Sequence, residues 1–393
     1  MQSMKTPCWF RLAFAFSLSL VVLARGADEG LVPLFNGKDL TGWVPVNVAP
    51  GTFTVRDGII ISTGKPTGVM RTERMYENFI IELEWRHLKS GGNAGLFIWG
   101  DPMTARGTPF ARGIEVQILD NGYGAKGKNE WFTTHGDIFP IHGATMTPAG
   151  RVAKSGRRSF PAEDLSKSAP EWNHYRVVAN NGEVRLSVNG KEVTVGKESS
   201  PRKGYLCLES EGSECHFRNI RIKELPSSNP SPEQTAKLAE GFITLYTGVD
   251  LAGWRADAAA KEHWRASDWR LECDAKAGTP PLTTEKEFGD FVLILDWLSS
   301  AKPDPAKPAD VGEIALFGSL PNGSALVKLD RAQAGTWHRL QITRRGDELT
   351  VEQDGKPTGE KRRVAGLPKR GSIELRSAGE PIVFSNIFLR ELK

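Results

Sequence analysis

The chain has 393 residues, 25% of them charged, with a formal net charge of +4. Lys5, Arg11 and Arg25 supply three of those charges in an N-terminal stretch without acids, so the remainder sits near +1 (about) and no nucleic-acid partner is expected. Beyond that stretch the cysteines are Cys207, Cys215 and Cys273, an odd set without a CxxC pair, which excludes a disulfide framework and a cysteine metal site. Cys207 and Cys215 are left as either a pair across a hairpin or two free buried thiols.

Residues 1–26 read as a secretory signal peptide: a basic start, an apolar run from Leu12 to Leu23 and a small-residue site at Ala24-Arg25-Gly26. The expected product is a secreted or periplasmic protein of about 367 residues, not inserted in a membrane after cleavage, and long enough for two domains. In the next segment, Phe79, Ile81, Leu83 and Trp85 alternate with Glu82, Glu84 and Arg86, the period of a half-buried strand. In Gly113–Asp120, Glu115 and Gln117 share one strand face and Val116 and Ile118 the other. Val184, Leu186 and Val188 alternate again before an Asn189-Gly190 turn. Glu209 and Glu211, near the end of the Gly204–Gly212 strand, could reach the same face as Glu115. Residues 226–240 have a linker composition, with Ser231 and Pro232 suited to start a short helix and Gly241 to stop it.

Four motifs then recur in the same order. Leu34–Trp43 (LFNGKDLTGW) returns as Leu245–Trp254 (LYTGVDLAGW), and Phe79–Trp85 as Phe291–Trp297. Trp172–Val177 returns as Trp337–Ile342, and Phe217–Leu225 as Phe384–Leu392. One fold is therefore used twice, at 31–225 and 241–393. Short alternating strands with Gly and Asn turns predict an all-β chain of two β-sandwich domains in tandem. Trp43, Trp172, Trp254 and Trp337 recur at matched positions and read as core.

The repeats are unequal. Their offset is 211 residues at Trp43/Trp254 but 165 at Trp172/Trp337. The second copy lacks most of 122–170, which holds His135, Asp137 and His142, and an alignment of Ser324–Asp330 on Gly113–Asp120 sets Ala325 against Glu115 and Val327 against Gln117. Joint loss of a polar face and a His-bearing excursion suggests one shared task. His135 and His142, seven residues apart with Asp137 between them, are candidates for acid–base work, and the spacing of His135, Asp137 and His142 also suits a divalent metal ion. Trp99 and Trp131 have no counterpart in the second copy and are candidates to stack on a sugar ring. Asn93, Arg71 and Glu84 are weaker site candidates; Arg202 and Lys203 read as a solvated pair.

Leu34–Trp43, Asn93–Phe97 (NAGLF), Gly113–Asp120 (GIEVQILD), Trp172–Arg176 and His216–Ile220 resemble the 3-keto-disaccharide hydrolase family, strongly over 31–225 and weakly over 240–393. The resemblance implies a concanavalin-like jelly-roll fold and a carbohydrate substrate, a glycoside whose sugar carries a 3-ketone. It implies base removal of the C2 proton, loss of the C1 substituent and, where water adds, net hydrolysis. His135 or His142 would then be the base, a divalent metal or Arg71 the enolate stabiliser, and Glu115 an orienting group. Gln117, Asn93, Asp137, Glu211, Trp131 and Trp99 would hold the sugar. The second copy is expected to be non-catalytic. A lectin-like, non-catalytic carbohydrate-binding protein is the competing reading, and a cell-envelope scaffold a third.

Overall fold

The computed structural model describes residues 30–124, 131–301, 309–318, 325–359 and 361–393; the leader at 1–26 lies outside them. Almost every element is a strand, and all pairings within the sheets are antiparallel. Two sheets stack in the first half of the chain and two in the second. No helix among the described residues is long and apolar enough to cross a membrane.

In the first sandwich the back sheet is centred on Phe79–His87, flanked by Asn173–Asn180 and Cys215–Glu224. Phe79, Ile81, Leu83 and Trp85 point into the core, where each apolar side chain taken from water contributes about 1.5–3 kcal/mol. Outside, Glu82 pairs with Arg176 and Arg221, and Glu84 with Arg218. The opposing site sheet runs in the order Arg151–Val152, Ser159–Phe160, Ile138–Ile141, Gly113–Leu119, Asn93–Gly100, Tyr205–Ser210, Gly68–Thr72, Trp43–Pro45. Ala94, Leu96, Val116, Ile118 and Leu208 face inward, so Gly95, Phe97, Glu115, Gln117 and Glu209 face outward.

The second sandwich repeats this plan with fewer strands. Its smaller sheet is ordered Trp254–Arg255, Leu282–Thr284, Ile373–Ser377, Asp310–Leu316, Leu326–Asp330. Nothing among the described residues corresponds to the Ile138–Ile141, Arg151–Val152 and Ser159–Phe160 strands. Register corrects the sequence alignment by one residue. Ile314 pairs with Leu375 and Val327 inside this core as Leu96 pairs with Leu208 and Val116 inside the first. The counterparts of Glu115 and Gln117 are thus Leu326 and Lys328, not Ala325 and Val327, and Arg376 stands where the first sandwich has Glu209.

Two halves of one face meet. Val292, Ile294 and Phe388, on the outer face of the larger second-sandwich sheet, pack with Val46, Val69, Phe97, Tyr205 and Cys207 from the site sheet. Beside this apolar contact Asp296, wholly buried, accepts from Arg339 Nε (2.7 Å), the Gly107 amide (2.9 Å) and Asn386 Nδ2 (2.7 Å). Arg339 and Asn386 in turn donate to the carbonyls of Thr104 and Thr108. A buried charge of this kind is tolerated because its acceptor sites are filled.

Several expectations change. The 226–240 linker forms only a 3-10 turn at Pro232–Gln234 and then pairs with the first sandwich: the Arg202 amide donates to Gln234 and the Ala236 amide to Lys203. No helix extends to Gly241, because those backbone groups find partners in the neighbouring strand. Cys207 and Cys215 are free thiols. Their strands belong to different sheets, and Cys207 faces outward while Cys215 lies in the core, so they do not form a hairpin pair. Trp43 and Trp254 are core residues, but Trp172 is half-buried between the Arg86 and Arg218 guanidiniums, and Trp337 packs against Gly107 and Trp269.

Asp296→Ala should strip the acceptor from three donors at once and cost about 3–5 kcal/mol. Denaturant unfolding should show that loss, with faster proteolysis of the 226–240 connection; an unchanged midpoint and cleavage rate would mean that Asp296 does not hold the sandwiches together.

Candidate functional site

The outward face of the site sheet gathers three carboxyl groups whose pKa values are raised, Glu115, Glu209 and Glu211. Glu115 and Glu209 both face outward from strands flanking Asn93–Gly100, and Glu211 follows on the same side. Glu115 is 7% and Glu209 1% exposed. Gly95 lies between them: a Cβ placed there would stand 2.8 Å from Glu209 Oε2 and 3.1 Å from Glu115 Oε1. The glycine therefore creates the hollow toward which both carboxyl groups turn.

Amides border this cluster. Asn93 Nδ2 donates to Glu211 Oε2, and Gln117 Nε2 donates to Asn93 Oδ1 at 3.1 Å. The Gln117 carbonyl accepts from the buried Tyr175 hydroxyl at 2.8 Å, which fixes the strand under the amide. Glu209 hydrogen-bonds the Glu211 carboxyl, a contact that needs a proton between the two acids, while no N–H or hydroxyl among the described residues donates to Glu209 Oε2.

Burial pushes the Glu115 carboxyl from its ordinary 4.5 to about 8; the Arg158 charge opposes this, and Glu211 and Asp137 add to it. Burial, then the charges of Glu115 and Glu211, raise Glu209 well above the ordinary range. Burial and the more distant Asp268 raise Glu211, against the hydrogen bond from Glu209. Asp268 belongs to the second sandwich, where its carboxylate accepts from the Thr67 amide at 2.7 Å and so brings that sandwich to the rim of the cluster. Groups that repel one another this closely lose their protons in separate steps, so Glu115 and Glu209 stay protonated past the ordinary carboxylate range and pass through a state with one acid and one base as the first proton leaves.

The predicted residues divide around this cluster. Glu115, Gln117, Asn93 and Glu211 come together. Asp137 lies close by, wholly buried, held by the Thr133 amide (2.9 Å) and hydroxyl and by Arg158 Nη1 at 3.1 Å. Arg158 also stacks 3.4 Å over the ring of Phe139, the register partner of Glu115. Neither histidine joins them. His135 is buried at the sandwich rim, with Nδ1 3.2 Å from Asn121 Oδ1 and Nε2 3.3 Å from Asp164 Oδ1 but out of hydrogen-bond alignment. Its pKa is lowered by burial, against the Asp164 charge. His142 is exposed, 3.2 Å from Thr108 Oγ1 and stacked on Phe110, on the turn after the Ile138–Ile141 strand.

His135, Asp137 and His142 accordingly do not form a metal site. The Asp137 oxygens already bind Thr133 and a guanidinium cation, and no group of three or more metal-binding side chains is gathered among the described residues. Arg71 is buried and spends its donors on the Pro102 and Thr72 carbonyls, at 3.0 and 2.8 Å, beneath the Tyr205 ring. Trp99 is a core residue whose indole N–H donates to the Glu77 carbonyl at 2.7 Å; a left-handed φ of 55° turns it inward, out of strand alternation. Trp131 remains on the surface, 70% exposed. Glu84 lies on the back sheet, away from the cluster. Sequence reasoning missed Arg158 and Gly95. No local pattern marks Arg158, which arrives from a distant turn, but Gly95 does interrupt an apolar strand, a sign of close approach.

These features define the class: an all-β protein of two tandem sandwiches, the first bearing a buried acid–base cluster flanked by amides. Residues 30–223, just under half the chain, match the model of the family of 3-keto-alpha-glucoside-1,2-lyase-like domains, which supports a carbohydrate-cleaving class for the first sandwich. A 3-keto-disaccharide hydrolase of Bacteroides thetaiotaomicron is 21% identical over 253 residues, covering 50% of this chain and 79% of the relative. Among solved structures, a candidate glycosyl hydrolase of Parabacteroides distasonis is 26% identical with a TM-score of 0.41, covering 50% of this chain and 95% of that one. A Bacillus subtilis protein of unknown function with a galectin-like fold has 11% identity and a TM-score of 0.36, covering 50% and 96%.

An acid whose pKa is raised on folding binds its proton more tightly in the native state. Glu115 thus favours the fold below its ordinary 4.5, and this contribution is lost as pH rises to about 8. Glu115→Gln should flatten the fall in melting temperature between those values and raise stability at the alkaline end by a few kcal/mol at most (about 2–4). Calorimetry across pH checks this; parallel pH profiles for the two proteins would show that Glu115 titrates normally.

Proposed function

We propose that the first sandwich cleaves glycosides carrying a ketone at C3 by removing the C2 proton and expelling the C1 substituent. The observation carrying this reading is the Glu115–Glu209 pair over Gly95, two buried carboxyl groups that cannot both be ionised near neutral pH. The ionised member takes the C2 proton, whose electron pair moves into the C2–C3 bond as the ketone becomes an enolate. Re-forming the ketone makes a C1–C2 double bond and breaks the bond from C1 to its substituent. The protonated member gives its proton to the departing oxygen. Water adding across the new double bond, oxygen to C1 and hydrogen to C2, would complete a net hydrolysis. Arg158 brings positive charge beside Glu115, where enolate charge develops, and Gln117 and Asn93 present amides for sugar hydroxyls.

This assigns to carboxyl groups the base role that the sequence offered to His135 and His142. The second sandwich is proposed to be non-catalytic: Leu326, Lys328 and Arg376 replace Glu115, Gln117 and Glu209, and Arg376 is bound to Glu374. Export through the 1–26 leader is part of the same proposal. The dispersed histidines favour one other reading, a lectin-like site built on Asn93 and Gln117 without chemistry.

Glu115→Gln and Glu209→Gln should each lower kcat on a chromogenic 3-keto glucoside by about 10²–10⁴-fold, with His142→Ala within a few-fold of the parent. Full activity in both glutamine variants would exclude the carboxyl mechanism, and sugar binding without cleavage by the parent would establish the lectin-like reading.

A further inference from the structure

Glu211 stands between two residues that are both tied to one loop. The Ser210 hydroxyl donates to the Pro66 carbonyl at 2.9 Å, and the Gly212 amide donates to the Gly64 carbonyl at 2.7 Å. The loop packs so closely here that a Cβ on Gly64 would collide with the Ser213 backbone. Residues 63–67 therefore set the backbone that carries Glu211 beside the Glu209 carboxyl and the Asn93 amide. The second sandwich grips this same loop at two points. Asp268 Oδ1 accepts from the Thr67 amide at 2.7 Å. Gly248 lies against the Pro66 ring, where a Cβ would stand 2.5 Å from Pro66 Cβ, an approach that only glycine permits.

Asp268 is itself held in place. It occupies the turn between Trp264–Ser267 and Arg270–Cys273 with a left-handed φ of 55°. The Tyr246 hydroxyl lies 3.0 Å from its carbonyl and 2.7 Å from that of Arg270, and the next residue, Trp269, packs on Trp337 at 5.7 Å. The charged groups that face Glu211 are Glu209, Glu115 and Asp268, all acidic. The Asp268 charge therefore favours a proton on the Glu209–Glu211 pair, which their contact requires. We propose that Asp268 of the second sandwich is a positioning residue for the carboxyl cluster of the first: through Thr67 it holds the 63–67 loop against Ser210–Ser213, and its charge faces the Glu209–Glu211 pair. The inference rests on the reading of Glu115 and Glu209 above. It gives the copy that lacks the cluster a part in the site, which is complete only when both sandwiches are docked.

Two variants of the full chain separate the hydrogen bond from the charge. Asp268→Asn keeps an acceptor for the Thr67 amide and removes the charge; Asp268→Gly removes both, and each replacement accepts the left-handed turn. By hydrogen exchange, the Thr67 amide should keep its parent rate in Asp268→Asn and exchange about tenfold faster in Asp268→Gly. In protein carbon-13-labelled at the glutamate carboxyls, the resonance lost in Glu211→Gln should titrate at lower pH in both variants than in the parent. On a chromogenic 3-keto glucoside, Asp268→Gly should lower kcat about tenfold, and Asp268→Asn should lose less. An unmoved Glu211 titration, or parent-like Thr67 exchange in Asp268→Gly, would overturn the proposal whether or not the protein cleaves the glucoside. Both changes in a protein that cleaves nothing would keep Asp268 as an organiser of the cluster and overturn the catalytic reading instead.

Discussion

Carboxyl groups taken out of water on a sheet face are the constraint around which the first sandwich is organised. Removing an ionised carboxylate from water is expensive, so such groups either pair with cations or hold their protons. Here the Arg158 charge offsets only part of the cost at Glu115 and the Asn93 amide serves Glu211, so Glu115 and Glu209 keep raised pKa values in consequence. Gly95 makes the arrangement possible sterically, and the Tyr175 hydroxyl and the Asp137–Arg158 pair hold its borders in place. A fold selected for stability alone would put apolar groups on a surface this well buried, so the retained acids point to chemistry.

The second sandwich shows what the same skeleton becomes without that constraint. Where the first has Glu82 and Arg221 on its outer back face, the second has Ile294 and Phe388, and that apolar face docks on the site sheet. Glu84 has as its counterpart Asp296, now buried and saturated with donors. The second copy thus presents an interface where the first has a solvated face, and among its described residues nothing corresponds to the segment that carries Asp137, Phe139 and Arg158. Asp268 then contributes charge to the rim of the partner's carboxyl cluster, so the second copy bounds the site that it does not duplicate.

Much of this was legible in the sequence because strand alternation is a strict period of two. Phe79–Trp85 and Phe291–Trp297 gave core faces directly, and Glu115, Gln117 and Glu211 were placed on one surface by the same rule. The rule fails where the backbone leaves it: Trp99 turns inward at a left-handed residue, and Gly136, with φ of 80°, separates the directions taken by His135 and Asp137. Histidine spacing in an excursion says little about convergence, since the turns between decide where each ring lands. The one-residue misalignment of Ala325 and Val327 has the same origin, because an unequal repeat sets strand order but not register. Interface formation was encoded too, in the replacement of Glu82 by Ile294 and of Arg221 by Phe388, and required only that outer faces be compared as closely as inner ones.

The central claim is that burial and mutual repulsion keep Glu115 and Glu209 from ionising together, so that they lose their protons in separate steps above the ordinary carboxylate range. Carbon-13 NMR of protein labelled at the glutamate side-chain carboxyl carbon, titrated from acid to alkaline pH, reads this directly. At least one glutamate resonance should titrate near the value of about 8 expected for Glu115, and should vanish in Glu115→Gln. A spectrum in which every glutamate has titrated by the ordinary 4.5 or shortly above it would contradict the account.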